Sequence, residues 1–282
     1  MPAGTVKKLG LVAGGGNLPL AVARRCEAEG RPFYIVRIKG FADDSLGRYE
    51  GADSGLGEFG RTIRLLKDAG CEAVCFAGIV NRPDFRQMKP DLKGAAVLPG
   101  LIAAAARGDD ALLRQVMSVF EAEGFAVEGA DQILGGETLP VGALGRHAPD
   151  EAALADVRKA IRVAKVSGEL DIGQGAVVCD GLVLAVEAQE GTDAMLERTA
   201  GLPEAIRGRP GAPRGALGKA PKPIQELRMD MPVMGPRTVE LAARAGLAGV
   251  AGQAGAVIVI DRPGMVEAAD RLGLFIWGEA ST

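Results

Sequence analysis

The first 135 residues alternate short apolar runs with amphipathic segments, and that alternation narrows the fold more than any other property of the sequence. Residues 8–13 (KLGLVA), 33–38 (FYIVRI) and 73–77 (AVCFA) read as strands, being brief, apolar and bounded by turn residues. Between them, 18–29 and 59–69 read as helices that Gly30 and Gly70 stop. Further helices are expected at 98–106 and 109–123, then a short strand at 125–128. Strands this apolar need cover on both faces, and strand-helix-strand crossovers are right-handed. Residues 1–135 are therefore expected to form a parallel, doubly wound, Rossmann-like sheet.

Periodicity fades over 136–149, where glycine and proline gather, and this stretch reads as a linker. A helix is expected at 150–166. Asp180-Gly181, set between two β-branched runs, then signals a two-residue hairpin. Residues 201–223 look irregular and basic, a helix opens at Pro236, and 256–260 and 274–277 read as strands around a last helix. Residues 150–282 are thus expected to be a second α/β domain with a mixed sheet.

Composition removes several classes of function. A net charge of −3 argues against non-specific nucleic-acid binding, which draws on a basic surplus. Four scattered cysteines do not make a disulfide framework, and a reducing cytosol is expected. Cys71 and Cys75 lie in an apolar run without a second ligand pair, so they read as core thiols and not as a zinc site. His147 is the only histidine, which leaves Ser-His-Asp and histidine-zinc hydrolysis without support. No signal peptide and no apolar run of about 18 residues is seen, so neither secretion nor a membrane span is expected.

Chemistry can gather in five places. The turn holding Gly15, Gly16, Asn17 and Leu18 follows the first strand and opens a helix, where amides and the helix dipole favour a phosphate. Pro19 breaks the dinucleotide fingerprint and Arg37 stands where an acid would bind the ribose of NAD, so NAD is disfavoured; a tight turn without a ligand is the plain alternative. Asn81 and Arg82 follow the third strand, at the sheet edge where ligands bind, although turn chemistry explains them nearly as well. Glu187, Glu190, Thr192 and Asp193 crowd a strand-to-helix junction; they can hold Mg²⁺ or simply cap the helix. Gln174 carries an amide suited to a polar substrate group, with satisfaction of a turn as the plain alternative. Lastly, Arg207, Arg209, Arg214, Lys219, Lys222 and Arg228 make a locally basic stretch, which would steer an anion or be a solvated loop. Within it, prolines stiffen the backbone around Lys219 and Lys222. Asp230, set among Met229, Met231 and Pro232, is a carboxylate that needs a partner.

The segments AGGGNLPLAVA, FAGIVNRPDF, RGDDALLRQV, DIGQGAVV, LAVEAQEGTDAML and KAPKPIQELRMDMPVMGP, in this order and over nearly the whole chain, resemble the LpxI-type UDP-2,3-diacylglucosamine pyrophosphatases of lipid A biosynthesis. The resemblance implies hydrolysis of UDP-2,3-diacylglucosamine to UMP and 2,3-diacylglucosamine 1-phosphate, with water attacking the sugar-side phosphorus. It also implies Mg²⁺, two α/β domains holding the lipid between them, and a cytoplasmic enzyme peripheral to the inner membrane; a homodimer is left open. The Asp of the family's R-x-D-x-P motif falls on Asp230, Thr192 and Asp193 on its EGTD segment, and Lys219, Lys222 and Gln225 on its KxxKPxQ segment. On that basis Asp230, Asp193 and Lys222 are expected to be catalytic. Asp230, Asp193, Glu190 and Glu187 are the expected metal ligands, and Lys219, Thr192, Gln225, Gln174 and the glycine turn the expected substrate contacts. Two other readings compete: an NADP-dependent oxidoreductase, from the glycine turn with Arg37, and a non-catalytic nucleotide or lipid carrier.

Overall fold

A computed structural model describes residues 7–80, 85, 88–222 and 231–281, and these fall into two compact units that divide at Gly136. The first unit contains β1 (Leu9–Ala13), α1 (Leu18–Glu29), β2 (Phe33–Ile38), β3 (Gly51–Ser54), α2 (Phe59–Asp68), β4 (Ala73–Ala77), α3 (Leu92–Ala105), α4 (Asp109–Ala122), β5 (Ala126–Val127) and α5 (Ala130–Ile133). Among the described residues its sheet runs β3-β2-β1-β4-β5, all parallel. That order belongs to the doubly wound class. The pleat sends Val12, Val36 and Val74 to one face, where Phe59, Ile63 and Leu66 of α2, Leu101 of α3 and Phe120 of α4 cover them. Gly10 shares that face, and a Cβ there would lie 2.5 Å from Leu66 Cδ2, so the glycine lets α2 come close. The helix start expected at 98 lies earlier, because Asp91 caps α3 by accepting from the Gly94 N–H at 2.7 Å.

The second unit holds β6 (Gly142–Ala143), α6 (Glu151–Glu169), β7 (Gly175–Cys179), β8 (Leu182–Val186), α7 (Gly191–Ala200), β9 (Ala216–Lys219), β10 (Val233–Met234), α8 (Pro236–Arg244), β11 (Gly249–Gln253), β12 (Ile258–Val259), α9 (Arg262–Leu272) and β13 (Phe275–Glu279). Its larger sheet runs β6-β13-β11-β9-β7-β8; β9, β11 and β13 are mutually parallel, while β6, β7 and β8 run antiparallel to the neighbours they pair with. On one face α6 packs Val157, Ile161 and Ala164 against Ala216, Ala251 and Phe275. The opposite face buries Val177, Leu217, Val250 and Ile276 under Met195 and Leu196 of α7, Val239 and Leu241 of α8, and Met265 of α9. The mixed sheet expected for this half is therefore present.

Local chemistry accounts for its corners. Asp180 and Gly181 take φ of 49° and 76°, and both their N–H groups donate to the buried Asp156 carboxylate at 2.8 and 2.7 Å. Residues 137–149 are more than a connection: Leu139 is buried in the core of the second unit and β6 pairs with β13. The basic stretch 201–223, expected to be irregular, contains the central strand β9. Among the described residues, no helix is long and apolar enough to cross a membrane.

Candidate functional site

At one end of the second sheet, the carboxyl ends of β8 and β9 meet the amino end of β7. Lys219 is the last residue of β9 and pairs in register with Gly175, the first of β7. Glu187 follows β8 and donates its N–H to the Gly175 carbonyl at 2.8 Å. Thr192, in the first turn of α7, completes the group. Carboxyl ends of parallel strands are where open α/β sheets bind ligands.

The side chains form a directed chain. Lys219 Nζ donates to Thr192 Oγ1 at 2.7 Å and to the Val233 carbonyl at 3.2 Å, and the Thr192 hydroxyl donates to Glu187 Oε1 at 3.0 Å. Glu187 Oε2 lies 3.9 Å from Lys219 Nζ. The lysine side chain is 6% exposed and the glutamate 12%. An ammonium has three N–H donors, so this one keeps a donor beyond Thr192 and Val233.

Lys222 stands three residues further on, 9% exposed, and donates to Asp171 Oδ1 at 2.6 Å. Asp171 lies just beyond α6 with a left-handed φ of 55°. Three glycines make room here. A Cβ on Gly168 would lie 3.0 Å from Lys222 Cα, one on Gly173 would lie 2.1 Å from the Glu187 carbonyl oxygen, and one on Gly175 would lie 2.4 Å from Glu187 Oε2. The DIGQG segment is thus shaped around Glu187. Gln174 adjoins the same strand end, its carbonyl accepting from the Ala220 N–H at 3.0 Å.

The four expected metal ligands are not gathered by what is described. Glu187 belongs to the chain above. Glu190 pairs with Arg198 at 3.0 Å, and Asp193 pairs with Arg237 at 2.5 Å. Burial tends to raise the Glu190 carboxyl, but its own backbone N–H and Arg198 outweigh that and hold it below the usual range. Asp193 in turn raises the Arg237 guanidinium. Among the described residues, no three His, Cys, Asp or Glu side chains converge as a metal ion requires. Asp230, Gln225, Asn81 and Arg82 lie outside the described residues.

The basic stretch is divided by its bonds. Arg207 is buried and donates to the carbonyls of Leu202 and Gly208, while Arg214 pairs with Asp180 at the hairpin. Arg209 pairs with Glu204, and Arg228 lies outside the described residues. Lys219 and Lys222 are its two cations brought to the strand ends. The sequence assigns Asp171 no role, since nothing local announces that it will meet a lysine 51 positions away.

In the first unit the glycine turn is bound to the neighbouring strand. Gly14 N–H donates to the Ala77 carbonyl and Gly15 N–H to that of Ile79, both at 2.8 Å, and Ile79 N–H returns to the Gly15 carbonyl at 2.9 Å. Gly16 is left-handed at φ 80°, and Asn17 caps α1 without a side-chain bond. Pro19 offers no N–H. A phosphate at this turn would depend on the amides of Gly16, Asn17 and Leu18.

Comparison with known proteins agrees in both units. Residues 8–136 match the family model for the LpxI N-terminal domain, and residues 140–277 match that for the LpxI C-terminal domain. A curated relative from Caulobacter vibrioides, named UDP-2,3-diacylglucosamine pyrophosphatase LpxI, is 59% identical over 97% of this chain and 98% of its own length. A solved structure of N5-carboxyaminoimidazole synthase from Aspergillus clavatus aligns with 65% of this chain and 41% of that one, at 11% identity and a TM-score of 0.25, too slight a likeness to carry an argument.

Proposed function

The chain belongs to the LpxI family, and from that premise we propose that it hydrolyses UDP-2,3-diacylglucosamine to UMP and 2,3-diacylglucosamine 1-phosphate. The observation that carries this reading is the pair of nearly buried ammonium groups, Lys219 and Lys222, at one set of strand ends. A buried cation draws its stability from anions, and a diphosphate is a dense one. Lys219 keeps an N–H direction for a phosphate oxygen, so the diphosphate's negative charge, already present in the bound substrate and kept as the phosphorus–oxygen bond breaks, meets a donor in place.

In this proposal water attacks the sugar-side phosphorus and UMP leaves. Asp230 orients that water; the role follows from the R-x-D-x-P motif. Glu187, Glu190 and Asp193, as bonded here, do not fit a magnesium centre, and no step is drawn through one. Gln174, Gln225, Asn81 and Arg82 remain proposed substrate contacts. Because the substrate carries two acyl chains, we place the enzyme in the cytoplasm against the inner membrane.

The test is hydrolysis of UDP-2,3-diacylglucosamine in H₂¹⁸O, followed by mass spectrometry. One ¹⁸O is expected in 2,3-diacylglucosamine 1-phosphate and none in UMP. Lys219→Met and Lys222→Met are each expected to lower kcat/KM by about a hundredfold. No UMP release from the lipid by the wild type would refute the activity, and label in UMP would refute the point of attack.

A further inference from the structure

Glu187 has a place in the fold that neither a metal ligand nor a helix cap explains. Its backbone N–H is held by the Gly175 carbonyl, and Gly173 and Gly175 close over its carbonyl and carboxylate so tightly that a methyl group on either would collide. The side chain is therefore confined. One carboxylate oxygen accepts from Thr192; the other, buried, has no hydrogen-bond donor among the described residues and faces Lys219 at 3.9 Å.

The order of donors matters. A carboxylate can only accept, so Glu187 fixes the direction of the Thr192 proton. With its proton so directed, the Thr192 oxygen presents a lone pair, and Lys219 donates to it at 2.7 Å. The lysine is thereby clamped by Thr192 on α7 and the Val233 carbonyl on β10, two elements distant in sequence. Replace the carboxylate by a group able to donate, and the hydroxyl proton loses its one fixed acceptor; the Thr192 rotor, and the lysine bonded to it, are then no longer held in a single direction.

We propose that Glu187 is a positioning residue: by fixing Thr192 as an acceptor it holds Lys219 with its remaining N–H presented to a phosphate oxygen of the substrate. This rests on the reading that the strand-end site takes a diphosphate. Glu187 then acts through Thr192 and Lys219 and does not touch the reacting atoms. The contact it secures exists in the bound substrate as well as in the transition state, so its loss falls on KM more than on kcat.

The experiment is a double-mutant cycle on the full chain with UDP-2,3-diacylglucosamine as substrate: wild type, Glu187→Gln, Thr192→Val and the double variant. Each is measured for kcat, KM, the dependence of the rate on added Mg²⁺, and melting temperature. Each single variant is expected to raise KM about tenfold with kcat within about threefold, and the double variant to be no worse than Thr192→Val alone. Whatever dependence of the rate on added Mg²⁺ the wild type has, Glu187→Gln is expected to keep it unchanged. Multiplicative losses, a fall confined to kcat, or a raised Mg²⁺ requirement in Glu187→Gln would overturn the assignment. If Glu187→Gln does not fold, Thr192→Val decides alone: a KM within twofold of wild type overturns the proposal. A wild-type protein that releases no UMP would instead defeat the underlying activity.

Discussion

Substituting Gly78 by Ala tests whether the glycine turn is built for packing between strands. Gly78 has φ of 95°, and a Cβ there would lie 2.5 Å from the Gly15 carbonyl oxygen and 2.7 Å from Pro19 Cγ. The backbone strain alone costs about 1–2 kcal/mol. Relieving the collision requires Gly15 to withdraw from Ile79, which gives up a reciprocal pair of hydrogen bonds at 2.8 and 2.9 Å, each about 0.5–1.5 kcal/mol. The sum is about 2–5 kcal/mol. With a urea slope of about 2 kcal/mol per molar, the unfolding midpoint falls by about 1–2.5 M. The control is Gly30→Ala: φ is 66° and nothing lies within 4 Å of the added carbon, so only the backbone strain applies. Urea unfolding by circular dichroism gives the two losses, and hydrogen exchange over peptides spanning 9–20 and 71–80 locates them. If Gly78→Ala and Gly30→Ala cost the same within about 0.5 kcal/mol, the collision is not felt and the reasoning fails.

Acid stability should respond to Glu123, whose carboxylate lies 2.5 Å from both the Lys67 and Lys93 ammonium groups; these hold its pKa at about 2 against the ordinary 4.5. A carboxyl depressed by folding stabilises fully above 4.5, and that contribution drains away as the pH falls towards 2. Because both lysine partners are exposed to solvent the triad's worth is only about 0.5 kcal/mol, so Glu123→Gln should lower the melting temperature slightly at neutral pH and flatten its acid limb; an unchanged limb would count against the triad. Burial raises the Cys26 thiol to about 11, with Arg31 opposing, and also raises Cys71, Cys75 and Cys179. Ellman's reagent at about pH 8 should therefore label no thiol in the folded protein and all four in urea, and rapid labelling under native conditions would contradict the burial of these groups.

Elements whose side chains carry the packing were legible in the sequence; those built by backbone approach were not. β1, β2 and β4 announce themselves through apolar runs, and α1 through the Gly30 stop, which is left-handed as a C-terminal glycine should be. β9 and β11, ALGK and GVAGQ, have no such run. Gly218 sits beneath α6, where a Cβ would come 2.6 Å from Ala160 Cβ, and a Cβ on Gly249 would come 2.3 Å from Cδ2 of the Phe275 ring. These strands are small because their neighbours are close. β3, GADS, is likewise held against β2, with Arg37 and Asp53 paired at 2.7 Å. In the site, residue types were informative and partners were not. Thr192, Lys219 and Lys222 stood out by charge and motif, but the Glu187–Thr192–Lys219 chain joins residues up to 32 positions apart, and only folding shows that the carboxylate serves a lysine.

The pairing of β6 with β13 has a topological corollary. Ala143, near the start of the second unit, lies opposite Trp277, near its finish, so the unit's own beginning and end are side by side. A peptide bridge from residue 281 back to 137, with new termini cut at the Asp180-Gly181 hairpin, would reorder the polypeptide while leaving every strand neighbour in place except the β7-to-β8 connection. Such a circular permutant offers a route to isolating this half with its lysine-bearing strand ends intact.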